Sequence, residues 1–196
     1  MNRIIGVAGK ICSGKNELTA ALRACGFHEI DVDAVGHTVL TEQSPAIEAA
    51  FGSAVMASDG TVNRRVLGRI VFADADALRA LEQIVHPRMV ETIRSQIQSM
   101  PADQRIVINA ALLFHMGLHT LCDHAVVVKA WAPVRFLRAW RRDKNGLRDT
   151  IARFRRQRSL SLSAERVDIS IVGNSTTRSA LQRRVARLLR NLQIDC

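Results

Sequence analysis

The chain has 196 residues, a length for one domain or for one domain with a small inserted lobe, and at 47% hydrophobic it can bury a real core. Its net charge of +10 points to anionic partners such as nucleotides, nucleic acid or a membrane surface. No stretch approaches the roughly 20 apolar residues of a membrane span, and the start lacks the long apolar segment of a signal peptide. Four widely spaced cysteines without a C-x-x-C pair indicate neither a zinc site nor a disulfide framework. Reduced thiols in a cytoplasmic protein are expected. Aromatics make up 4% with no Tyr, so the core must be mostly aliphatic.

In chain order, "RIIGVA" (3–8) reads as a buried β-branched strand, followed by a Gly-rich turn and a helix. Leu18, Leu22 and Cys25 share one face of that helix, and Gly26 stands where a C-terminal cap is expected. "FHEID" (27–31) is a second strand ending on an acidic residue. Residues 34–51 are helical in pattern, with Pro45 starting a new turn, and "SDGTVN" (58–63) is a turn. Residues 64–99 look helical with a break near His86-Pro87, where proline suits the first turn of a new helix.

"RIVINAALLF" (105–114) reads as a buried strand running into a loop, and "HAVVVKA" (124–130) as another. Such near-continuous apolar runs suit a parallel sheet covered on both faces. Residues 135–158 are helical and heavily basic, 168–174 form a last strand, and 177–192 an amphipathic helix with arginines on its outer face. Strands alternating with helices imply an α/β fold with a parallel sheet, whose ligands bind beyond the carboxyl ends of the strands. The segment 9–16, Asp31, Asp33 and 109–114 all follow predicted strands, so they are expected on one edge of that sheet.

The segment "GKICSGKN" (9–16) fits the body of the phosphate-loop pattern G-x-x-x-x-G-K-[ST], with Asn in the last place. Backbone N–H groups aimed inward and a helix N-terminus beneath them would hold phosphates, and Lys15 would reach the β- and γ-phosphates. The residue at position 16 would hold Mg²⁺; the Asn16 amide oxygen is a neutral, hard ligand. A turn that binds nothing is disfavoured by the strand–loop–helix setting. Asp31 and Asp33 offer a base for an attacking hydroxyl, the alternative being Asp33 as a helix N-cap. The arginines of 138–157 suit a lid over a triphosphate, the alternatives being a solvated face or a nucleic-acid contact. His37 and His86 stand alone, and His115, His119 and His124 have no metal-ligand spacing.

The ordered set of motifs resembles the dephospho-coenzyme A kinase family. The phosphate loop is followed by "DVDAVGH" (31–37), "SDGTVNRRVLGRIVF" (58–72), "IVHPRM" (84–89) and "ALLFHMGL" (111–118). Then come Arg138, Arg142, Asp143, Arg153 and Gln157 in a lid pattern, and Asn174-Ser175. The resemblance spans almost the whole chain. It implies a P-loop NTPase-type parallel sheet flanked by helices, with a helical substrate lobe near 34–100 and a lid near 138–160. It also implies transfer of the γ-phosphoryl of ATP, with Mg²⁺, to the ribose 3′-hydroxyl of dephospho-coenzyme A.

Roles carry over with the motifs. Lys15, Asp33 and Arg142 would be catalytic: phosphate ligand, base and lid arginine. Gly9, Cys12, Ser13, Gly14, Lys15, Asn16 and Glu17 would cradle the triphosphate, with Asn174 near the adenine. Asp33, Arg64, His86 and Leu113 would meet the acceptor, and Asn16 the metal.

Lys10, Cys12, Asn16, Asn109, Ala111 and His115 depart from the family pattern. If position 12 needs a positive φ, Cys costs on the order of 1 kcal/mol there. The departures motivate a rival reading, a catalytically impaired nucleotide- or protein-binding member of the same fold. A basic nucleic-acid-binding module is the third reading. Few aromatics for stacking and no recognition motif weigh against it.

Overall fold

A computed structural model of the chain describes residues 3–142 and 167–194. Five strands form one sheet in the order 2-3-1-4-5: β1 (Arg3–Ala8), β2 (His28–Asp31), β3 (Arg105–Asn109), β4 (His124–Lys129) and β5 (Asp168–Gly173). β1 is central and pairs in parallel with β3 and β4, and β4 pairs in parallel with β5. The chain leaves β1 toward β2 on one side and later crosses to β4 on the other. The loop after β1 therefore lies where an open α/β sheet changes direction, the place where such sheets bind ligands.

The helices are α1 (Lys15–Ala24), α2 (Val32–Glu42), α3 (Ser44–Phe51), α4 (Arg64–Ala73), α5 (Ala75–Ser99), α6 (Ala132–Arg142) and α7 (Arg178–Asn191). Two compact units result: residues 1–30 with 100–196, which carry the sheet, and residues 31–99, which are helical. In the first unit, Leu18, Leu22, Leu181, Val185 and Leu188 pack with Val7, Val126 and Val128 in one core cluster. The expected cap of α1 is a Schellman motif: the Gly26 N–H donates to Arg23 O (3.0 Å) and the Phe27 N–H to Leu22 O (3.1 Å). In the second unit, α5 packs against α2, α3 and α4. Among the described residues, no helix is long and apolar enough to cross a membrane.

Two expectations fail. α5 runs without interruption through Pro87, and the break falls earlier, at Asp74, whose carboxylate accepts from the Asp76 N–H (2.8 Å). Pro87 is exposed, so the carbonyl it leaves unpaired one turn back can face water, and packing of both flanking turns through Val85, Met89 and Ile93 outweighs the local cost. The thiols are not all reduced: Cys12 and Cys122 are free, but Cys25 is disulfide-bonded. Burial, with Asp123 adding to it, pushes the Cys122 thiol up to about 12, so this free cysteine is chemically quiet.

Candidate active site

The site begins where β1 ends. Val7 and Ala8 are fully buried, which fixes the start of the loop against the sheet. The loop then closes on itself through Ser13 N–H to Lys10 O (3.0 Å). Cys12 has φ 55 and Gly14 has φ 102, so two left-handed residues turn the chain into α1. Gly14 is the N-cap and supplies no side-chain acceptor, which leaves the first-turn N–H groups of α1 to another partner. An anion is what such a helix start takes. A side chain at Gly9 would not fit, because its Cβ would lie 2.6 Å from both Ser13 Oγ and the Val128 carbonyl oxygen. Lys15 folds back so that Nζ donates to Gly9 O (3.0 Å), and the ammonium stands over the loop. Ser13 Oγ is buried and has no partner among the described residues. A buried hydroxyl without a partner is costly unless a ligand or water supplies one.

The loop is walled by segments that follow β4 and β5. Asn174, 4% exposed, donates its side-chain N–H to Ser13 O (2.7 Å) and its backbone N–H to Lys129 O (2.7 Å). Arg138 on α6 donates to Asn174 O (3.0 Å) and Oδ1 (3.4 Å). The Trp131 N–H donates to Ser175 Oγ (2.9 Å), joining the two segments. A pocket of about 470 Å³ opens beside the loop, lined by Lys10, Ser13, Trp131, Arg135, Gly173 and Ser175, among others. Burial pushes the Arg135 guanidinium below its ordinary value, with Cys12 opposing, and its Nε–H is held by Ala130 O (3.2 Å). Three cations, Lys10, Lys129 and Arg135, and an exposed indole lining one pocket suit an anion joined to a flat ring.

The remaining expected residues fall as follows. Asn16 and Glu17 are exposed in the first turn of α1. The Asn16 side chain carries an amide oxygen, the kind of donor that a hard cation accepts. In the helical unit, Asp31 caps α2 by accepting from the Asp33 N–H (3.0 Å). The cap is thus Asp31, and the exposed Asp33 carboxylate has no partner among the described residues. Arg64 opens α4 and is exposed, and His86 is half-buried on α5. Leu113 is fully buried, and a Cβ on Gly6 would stand 2.7 Å from its Cδ2, so its side chain packs against β1. Arg142 ends α6, but its side chain lies outside the described residues, as does the expected lid beyond it.

Asn109, which departs from the family pattern near an acidic position, donates to Glu29 Oε1 (3.0 Å), and Glu29 pairs with Arg23 (3.5 Å). A carboxylate at 109 would face that of Glu29, which explains an amide there. The Arg138–Asn174–Ser13 chain joins residues far apart in sequence and was not expected from it. Its only signal was that 138 and 174 each follow one of two neighbouring strands.

The loop on a central parallel strand, the helix starting beneath it and the buried Ser13 hydroxyl, without a partner among the described residues, define a P-loop nucleotide-binding kinase fold. The chain belongs to the dephospho-CoA kinase family, whose model matches residues 3–179. It is 32% identical over 196 residues to a dephospho-CoA kinase from Halalkalibacterium halodurans, covering 97% of each chain. A solved protein from Thermus thermophilus superposes with a TM-score of 0.79 at 28% identity, over 97% of this chain and 98% of that one. The solved dephospho-CoA kinase from Campylobacter jejuni, 23% identical, shares the fold with a TM-score of 0.69 over 98% of each chain.

Proposed function

We propose that the protein transfers the γ-phosphoryl of ATP to the ribose 3′-hydroxyl of dephospho-coenzyme A, giving coenzyme A and ADP. Family membership supports the reaction, and the single observation that carries it is the loop itself: left-handed Cys12 and Gly14, Lys15 over the loop, and an uncapped α1 N-terminus. Phosphoryl transfer asks the protein for positioning and charge stabilisation more than for covalent chemistry. The backbone from Cys12 to Asn16 holds the β- and γ-phosphates, and Ser13 Oγ gains the partner it lacks. Lys15 exchanges the Gly9 carbonyl for phosphate oxygens. The pocket at Trp131 and Arg135 takes the nucleoside.

Asp33 is the base for the 3′-hydroxyl, since Asp31 has taken over the capping work and left this carboxylate unspent. Arg64 and His86 hold the acceptor, and Arg142 meets the transferred group. Asn16 is the residue that would hold Mg²⁺, which would supply neutralisation of the phosphate charge when bound. The setting implied is cytoplasmic, with a small-molecule acceptor. The test is ADP release coupled to appearance of coenzyme A by mass spectrometry. Activity that requires dephospho-coenzyme A and is lost in Lys15→Ala supports the reading; ADP release indifferent to the acceptor counts against it.

A further inference from the structure

We infer that Arg138 and Asn174 form a strut that sets the shape of the phosphate loop. They are positioning residues acting through the Ser13–Gly14 peptide, and Asn174 is not a reader of the base. The inference rests on the triphosphate site proposed above. Asn174 follows β5, Arg138 projects from α6, and nothing in the loop's own sequence calls for either. Yet both ends of the Asn174 side-chain amide are engaged. Its Nδ2–H donates to Ser13 O (2.7 Å), and its Oδ1 accepts from Arg138 Nη2 (3.4 Å). Its main chain is fixed as well, with N–H to Lys129 O (2.7 Å) and carbonyl oxygen from Arg138 Nη1 (3.0 Å). Asn174 is therefore held by three hydrogen bonds, two from Arg138 and one to Lys129, before it meets the loop.

The peptide it meets matters. In a planar trans peptide the C=O and N–H point in opposite directions. Holding the Ser13 carbonyl against Asn174 therefore aims the Gly14 N–H the other way, and no described residue accepts from it. One hydrogen bond thus orients a donor of the phosphate cradle. The contact continues at the next residue, because a Cβ on Gly14 would fall on Asn174 Nδ2. The guanidinium of Arg138 on Oδ1 polarises the amide and strengthens its N–H as a donor. The arginine thereby acts on the loop without touching it.

A strut of this kind affects phosphate, whatever carries it. A base-reading Asn174 affects only ligands that have a base. Inorganic tripolyphosphate separates the two. Dissociation constants for ATP and for tripolyphosphate are measured by calorimetry on the full chain, together with the KM for dephospho-coenzyme A. The comparison runs over the native protein, Asn174→Asp and Arg138→Lys. Asn174→Asp is isosteric, keeps an acceptor for Arg138, and sets an oxygen against the Ser13 carbonyl. Arg138→Lys keeps the charge and loses the fork.

The strut predicts that Asn174→Asp weakens ATP and tripolyphosphate by the same factor, about ten-fold or more, with a smaller equal loss in Arg138→Lys. The KM for the acceptor stays within about two-fold, which a general loss of structure would not leave untouched. Should Asn174→Asp fail to fold, Arg138→Lys carries the same comparison. A loss for ATP with none for tripolyphosphate, or no loss for either, overturns the strut. Failure of the native protein to bind either ligand overturns the triphosphate site itself, and the strut with it.

Discussion

Replacing Cys12 by glycine should make the protein more stable. Cys12 sits at φ 55, inside the left-handed region, where an L side chain costs about 1–2 kcal/mol. Glycine removes that cost but brings a more flexible unfolded chain, which returns about 0.4–1 kcal/mol. The side chain is half-buried and its thiol is free, so little packing is lost. The net gain is about 0.5–1 kcal/mol, or an upward shift of about 1–4 °C in a chain of this size. Asparagine, which tolerates the left-handed region, should fall between Cys and Gly, and valine should be worst because its branched Cβ suffers most there. Urea unfolding without nucleotide gives the series directly. A lower midpoint for Cys12→Gly, or a valine variant as stable as the native protein, refutes the claim that the loop holds strain at this residue.

Asp33→Asn should lower kcat by about 10²–10⁴-fold while the ATP dissociation constant stays within about two-fold, because the carboxylate serves the acceptor and not the loop. A variant that retains near-native kcat removes Asp33 from the mechanism. Asn16→Ser should tighten the Mg²⁺ dependence of turnover, shifting half-saturation to lower metal; an unchanged metal curve means residue 16 does not bind the ion. His124 is pushed below its ordinary value of 6.5 mainly by burial, with Arg3 adding and Asp168 opposing, while its Nε2 contacts Ser170 Oγ (2.9 Å). The unfolded chain therefore takes up this proton first as pH falls. Stability should decline on acidification below about 6.5 and level off once the folded protein is protonated too. His124→Gln should flatten that part of the curve, and an unchanged curve would assign the decline elsewhere.

The parallel sheet was legible because its strands are buried on both sides, so "RIIGVA", "RIVIN" and "HAVVVK" are apolar without alternation. The loop was legible because phosphate binding leaves few choices: small residues where the backbone crowds, as at Gly9, and a lysine at a fixed offset. What escaped depended on partners distant in sequence. Pro87 reads locally as a helix start, and only the packing of α5 on its neighbours carries the helix through it. Asp31 and Asp33 are equivalent as letters; the backbone decides that the first caps α2 and the second is left unspent. Leu113 sits in a motif that suggested substrate contact, and its packing against Gly6 could not be read from that motif. The bond from Asn174 to Ser13 joins residues 161 apart, and no local pattern encodes it.

The most direct test is phosphorylation of dephospho-coenzyme A by the purified chain with ATP and Mg²⁺, with Lys15→Ala beside it. One coenzyme A should form per ADP released, and both products should be lost in the variant. Bound ATP with no coenzyme A formed, under conditions where an active dephospho-CoA kinase turns over, would contradict the proposed function and mark the chain as a nucleotide-binding member without the reaction.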